Sequence, residues 1–145
     1  MKFSKTFHEV FKEVNNASTK KEKIAVLQYY SCGELKQVLG MTFDPRIEWL
    51  IPDTEAPYNP APKSADMPTL HAELRRMDLF VKGTPRAENM KQAKREQIFI
   101  EMLEGIDWRD AKVLAAMPSG KLPYKGLTRK LVAEAFPNLT VGWFS

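Results

Sequence analysis

Three observations predict an all-α fold: apolar residues recur at steps of three and four, helix start and stop signals follow one another closely, and no segment makes a convincing strand. They imply a compact single-domain bundle of about seven or eight helices, with a Pro-rich loop near residues 51–68. The 145 residues, 43% hydrophobic and 10% aromatic, suffice for one core and not for two, so residues 1–145 are expected to fold as one unit. Residues 137–145 read as a C-terminal tail.

Phe3, Phe7, Val10, Phe11 and Val14 gather on one face of a helix starting after Ser4 and closed by Asn15 and Asn16. Thr19 with Glu22 forms a capping box for a second helix, with Ile24, Leu27 and Tyr30 inside. A third box, Ser31 with Glu34, opens a short helix burying Leu35, Val38 and Leu39 and ending at Gly40. Asp44 and Pro45 read as cap and first position of a brief helix to Leu50, with Trp49 in the core. Five prolines, Pro52, Pro57, Pro60, Pro62 and Pro68, then exclude helix and central strand over 51–68. That loop either serves a function or is a strap packed through Pro57 and Tyr58.

Residues 69–82 place Leu70, Leu74, Met77 or Leu79, and Val81 in helical register before Gly83. Thr84 and Pro85 lead into a long helix over 91–104, its apolar side formed by Ile98, Phe99, Met102 and Leu103 opposite Lys91, Lys94 and Arg95. Asp107, with Asp110 three later, caps a helix burying Val113, Leu114 and Met117 until Pro118. Thr128 caps the last helix, with Leu131, Val132, Ala135 and Phe136 inside and Pro137 as its stop.

The sequence carries little that points to catalysis. It has no phosphate-cradling glycine loop, HExxH helix, Gly-x-Ser-x-Gly elbow or CxxC pair. His8 and His71 read as surface or core-edge residues without a partner, and Glu101, Glu104, Asp107 and Asp110 as caps and exposed pairs. With Cys32 the single cysteine, no internal disulfide or zinc cluster is expected, and a reducing cytoplasm fits. No apolar run reaches the roughly 20 residues of a membrane span, so no membrane partner is expected.

The formal charge of +4 is unevenly spread. Residues 82–130 hold eleven Lys and Arg against six Asp and Glu, whereas the rest hold eleven against twelve. Within that half lies MPSGKLPYKGLTRKL, residues 117–131. Lys121, Lys125, Arg129 and Lys130 bring charge, Gly120 and Gly126 permit close backbone approach, and the amides after Thr128 carry the positive end of a helix dipole. Such a loop either holds phosphates without reading sequence or is a turn with lysines for solubility.

The order of features resembles the N-terminal DNA-binding domain of bacteriophage-type ATP-dependent DNA ligases. It runs through a first helix, STKKEK at 18–23, Leu-Lys-Gln-Val-Leu at 35–39 and the Pro-rich loop, then DAKVL at 110–114, the glycine-bearing basic loop and KLVAEAFPNL at 130–139. The chain also looks like small proteins of large tailed phages that share a KLPYKGLT-type turn and bring no function with them. The ligase resemblance implies an all-helical domain gripping the minor groove and backbone of duplex DNA around a nick. The matching positions are Lys121, Tyr124, Lys125, Gly126, Thr128, Arg129 and Lys130. Here prolines and Tyr124 replace the ligase loop's usual Arg-Asp-Leu and glycine arrangement. A Lys-x-Asp-Gly motif to take up adenylate is absent, so a non-catalytic role without cofactor or metal is expected.

The resulting expectation is a phage-encoded, sequence-independent duplex-DNA-binding protein of the host cytoplasm. The alternative is a protein-interaction module, an adaptor or inhibitor of a host or phage protein or a minor virion component, anchored by Trp143 and Phe144. The other reading of those two side chains is a tail folded back on its own core.

Overall fold

Residues 5–52, 57–63 and 67–139 are described in a computed structural model of the chain. Among them are seven α-helices and two 3₁₀ segments, with a single isolated β-bridge and no strand. Helix α1 (Phe7–Asn16) starts at Thr6, whose amide and hydroxyl donate to the Glu9 carboxylate at 3.1 and 2.7 Å. It turns Phe7, Val10, Phe11 and Val14 into the core. At its far end the Lys23 ammonium, from the next helix, donates to the carbonyls of Val14, Asn15 and Ala17 at 3.0, 3.3 and 2.7 Å. A cation there satisfies carbonyls the helix leaves open and opposes its negative pole.

Helix α2 (Lys20–Tyr29) opens as expected, Thr19 Oγ1 accepting from the Glu22 amide at 3.1 Å. The Glu22 carboxylate takes the Ser18 amide, completing the box one residue early. Leu27 is the buried residue of α2, with Ile24 and Tyr30 partly buried against the core.

Helix α3 (Gly33–Phe43) has Cys32 at its N-cap and runs past Gly40, which is buried in its interior. Met41 and Phe43 carry the apolar face onward, so the helix ends at Asp44, before proline. The brief helix expected after Asp44 does not form. The Asp44 carboxylate accepts the Arg46 amide at 2.9 Å and the Arg46 guanidinium at 2.7 to 3.2 Å, so a turn replaces the first helical hydrogen bonds. The chain then extends, and Trp49 pairs antiparallel with Val81. The Trp49 ring is partly buried, stacks on Phe80 and donates through Nε1 to the Met41 carbonyl at 2.9 Å.

Among the described residues, the Pro-rich stretch has neither helix nor strand. Tyr58 and Ala61 pack inward while Pro57 is exposed. Residues 70–80 (Leu70–Phe80) form a long 3₁₀ helix where periodicity suggested an α-helix. Leu74, Met77 and Phe80 are three apart, which lines them up at three residues per turn. Side chains from elsewhere meet its carbonyls: Gln37 Nε2 on Leu74 at 3.0 Å, Thr84 Oγ1 on Asp78 at 2.7 Å and Arg95 Nε on Leu79 at 3.0 Å.

Helix α4 (Pro85–Glu88) is one turn long, and α5 (Gln92–Gly105) starts anew after Lys91. The expected basic face of α5 needs correction, because Arg95 is 5% exposed. Its guanidinium is enclosed by the carbonyls of Leu79, Ala87 (2.5 Å) and Met90 (3.1 Å) and by Gln92 Oε1. Helix α4 supplies the Ala87 carbonyl and the break between α4 and α5 that of Met90. Asp107 caps α6 (Trp108–Ala116) through the Arg109 amide at 2.8 Å, and a short 3₁₀ turn (Met117–Ser119) follows at Pro118. Helix α7 (Arg129–Ala135) closes the bundle against α2 and α3. None of the helices among the described residues is long and apolar enough to cross a membrane.

Candidate nucleic-acid interface

The loop between the short 3₁₀ turn and α7 is fixed from beneath. Gly120 ends the turn with φ +78°, a conformation that favours glycine. Leu122 and Leu127 are buried, and Tyr124 presents its ring to Phe11 at 5.8 Å and 60°. The Leu127 amide donates to the Tyr124 carbonyl at 3.0 Å. Apolar anchors thus interleave with Lys121 and Lys125, and Arg129 and Lys130 follow; all four cations are exposed. The fold places the predicted charges on one segment, held on an apolar underside.

The close approach expected at Gly126 is corrected. The Gly126 amide donates to Asn15 Oδ1 at 2.7 Å, and a Cβ at Gly126 would lie 2.9 Å from Lys23 Nζ and 3.1 Å from Asn15 Oδ1. The close approach this glycine permits is therefore to the end of α1. Thr128 Oγ1 accepts the Leu131 amide at 3.2 Å, so its hydroxyl caps α7. The amides of Gly126 and Leu131 are thus spent within the fold, and the side-chain charges of the loop are exposed. Arg129 also lines a cleft of about 430 Å³ with Asp44, Trp49 and Pro118. The Asp44 carboxyl is held below the usual carboxylate range, first by hydrogen bonds from Arg46 and to a lesser degree by charges that include Arg129. Trp143 and Phe144 lie outside the described residues.

Two further clusters come together only in the fold. Trp108 opens α6 and is ringed by cations: Lys63 Nζ at 4.7 Å, Lys112 Nζ at 4.8 Å and Arg109 Cζ at 5.8 Å from the ring centroid. Arg109 also binds the Asp107 carboxylate at 3.1 Å and holds it below its ordinary range. The Arg109 charge also reaches Tyr124 of the basic loop. Burial first, and then the Asp110 charge, raise the tyrosine's pKa, while the neighbouring Arg109 opposes them.

The second cluster is a buried pair. Asp110, expected as part of a cap, is fully buried and accepts His8 Nδ1 at 2.7 Å, the His8 amide at 3.2 Å and the Leu70 amide at 2.9 Å. His8 therefore does have a partner. His71 stacks face to face on Phe7 at 4.1 Å. A signal was present, since Asp110 shares a helical face with Val113, Leu114 and Met117. Among the described residues no group of three His, Cys, Asp or Glu is placed to hold a metal ion.

Comparison with known proteins adds a family. A family model described as a family of unknown function, DUF6433, matches residues 10–124. That stretch includes Trp108, Lys121 and Tyr124 and ends before Lys125, Gly126, Thr128, Arg129 and Lys130. No curated protein and no solved structure matches the chain.

Proposed function

The chain belongs to DUF6433, a family of unknown function, so its role must be read from its own surface, and we propose that it is a non-catalytic protein binding duplex DNA independently of sequence. The observation carrying this reading is the basic loop. Lys121, Lys125, Arg129 and Lys130 are exposed on a segment whose Leu122, Tyr124 and Leu127 are anchored inward. Cations on a fixed base can meet successive phosphates with little ordering cost, and such contacts position a duplex without reading bases. The charge surplus in residues 82–130 and the ligase-like order of segments support the same reading. Gly126 and Thr128 contribute by shaping the loop, and Tyr124 by anchoring it.

Fluorescence anisotropy against labelled duplexes of unrelated sequence, at several salt concentrations, tests the proposal. Affinity is expected to fall steeply with salt and to be alike for all sequences. The double variant Lys121→Glu, Lys125→Glu should bind more weakly and flatten the salt slope by about two phosphate equivalents. Arg129→Ala is the better probe at that position, since a carboxylate there would face Asp44. Unchanged binding by the double variant would remove the loop from the interface.

A further inference from the structure

We propose that Trp108, with Lys63, Arg109 and Lys112, forms a second site that takes an unpaired nucleotide of a single strand, base on the indole and phosphates on the lysines. It uses side chains separate from the basic loop, so it stands or falls independently of the duplex reading.

The indole is partly buried and fixed in place. Trp108 begins α6 directly after Asp107, whose amide donates to the Pro68 carbonyl at 2.7 Å and whose carboxylate caps the helix. Lys63 arrives from the Pro-rich stretch, which is tied to α5 where the Asn59 amide donates to Glu104 Oε2 at 2.8 Å and Ala61 is buried. A segment without regular structure is thereby held so that its lysine lies over the ring. Trp49, by contrast, packs against the core and spends its Nε1 on a backbone carbonyl. The Trp108 Nε1–H donates to no acceptor among the described residues.

Three like charges around one ring repel one another, and of the three only Arg109 has an ion-pair partner among the described residues, Asp107. A single strand relieves this crowding. Its phosphates draw off Lys63 and Lys112, and a base takes the uncovered ring face. Stacking a base on an indole outweighs an exposed cation–ring contact, so the exchange is favourable. Intact duplex has no base to offer, because its bases are already stacked and paired.

The test compares the full-length protein on a short oligothymidylate, an abasic strand of the same length, an oligouridylate and a duplex. The wild-type protein is expected to bind oligothymidylate at least about tenfold more tightly than the abasic strand, which carries the same phosphates without bases. Trp108→Ala should abolish that preference and leave duplex affinity unchanged. Trp108→Phe keeps a stacking ring, should retain part of the preference and settles the matter where the alanine variant does not fold. Lys63→Glu with Lys112→Glu should weaken both single strands while Lys121→Glu, Lys125→Glu leaves the base preference intact. The oligouridylate separates DNA from RNA as the source of the strand, and a preference for either over the abasic strand supports the site. Equal binding to based and abasic strands, or an equal loss of duplex and single-strand affinity in Trp108→Ala, would overturn the proposal.

Discussion

Arg95 shows how one side chain can hold a break in the chain open. Its guanidinium collects carbonyls from the end of the long 3₁₀ helix, from α4 and from the gap between α4 and α5. Arg95→Met would keep much of the volume and leave those buried acceptors unpaired, at a cost of roughly 3 kcal/mol. Arg95→Lys should recover only part of this, since an ammonium cannot reproduce the planar fork. Urea unfolding of the three proteins checks the order wild type, lysine, methionine. Gly126 makes a different demand. A methyl group there must displace Lys23 or Asn15, and through Lys23 disturb the end of α1. Gly126→Ala is expected to lose about 1–3 kcal/mol, and markedly less when Lys23 is already alanine. Equal losses in both backgrounds would mean that the ammonium is not what the methyl meets.

At the scale of elements, the Asp44 turn and the α6 cap share one device: a carboxylate fixed by an arginine two residues on, Arg46 for Asp44 and Arg109 for Asp107. Those hydrogen bonds hold both carboxyls below their ordinary range. A carboxyl whose folded pKa is depressed contributes stability above its unfolded pKa and loses it as pH falls through the folded one. The stability that these two carboxyls contribute should thus be full at neutrality and be lost progressively as pH falls below about 5. Asp107→Asn should be destabilised at pH 7, with its deficit narrowing in acid; a deficit constant with pH would exclude the charge as the cause. The starts at Thr19, Asp107 and Thr128 are legible in the sequence because donor and acceptor lie within three residues of each other. Other features depend on context the pattern does not carry. Steps of four and three in Leu70, Leu74 and Met77 suit α and 3₁₀ geometry alike, and the distinction comes from side chains of α3 and α5 that meet the carbonyls. Asp44 and Pro45 resemble a helix start until the carboxylate closes on Arg46. The basic loop is legible because leucines and lysines interleave within it, whereas the Trp108 cluster requires Lys63 to be delivered by a segment with no periodicity at all.

For the whole molecule, Asp110 is the point where distant parts of the chain meet. Its two oxygens bind α1 through His8, the long 3₁₀ helix through Leu70, and hold both against α6. No local pattern reveals such a junction, since its partners are 102 and 40 residues away. The carboxylate has all its partners as donors: two amides and an imidazole Nδ1–H. Asparagine cannot replace it, because its NH₂ would face a backbone N–H or the ring N–H and leave two donors opposed. Asp110→Asn and Asp110→Ala should therefore both lose about 3–5 kcal/mol, the range expected when a buried charge-bearing junction loses a partner. Because the junction joins three elements, the loss is expected as a lower midpoint of one cooperative unfolding transition, followed in parallel by circular dichroism and by tryptophan fluorescence. An asparagine variant within about 0.5 kcal/mol of wild type would mean that the donors find other acceptors. Separate transitions by the two probes in the wild-type protein would mean that Asp110 does not bind the three elements into one unit.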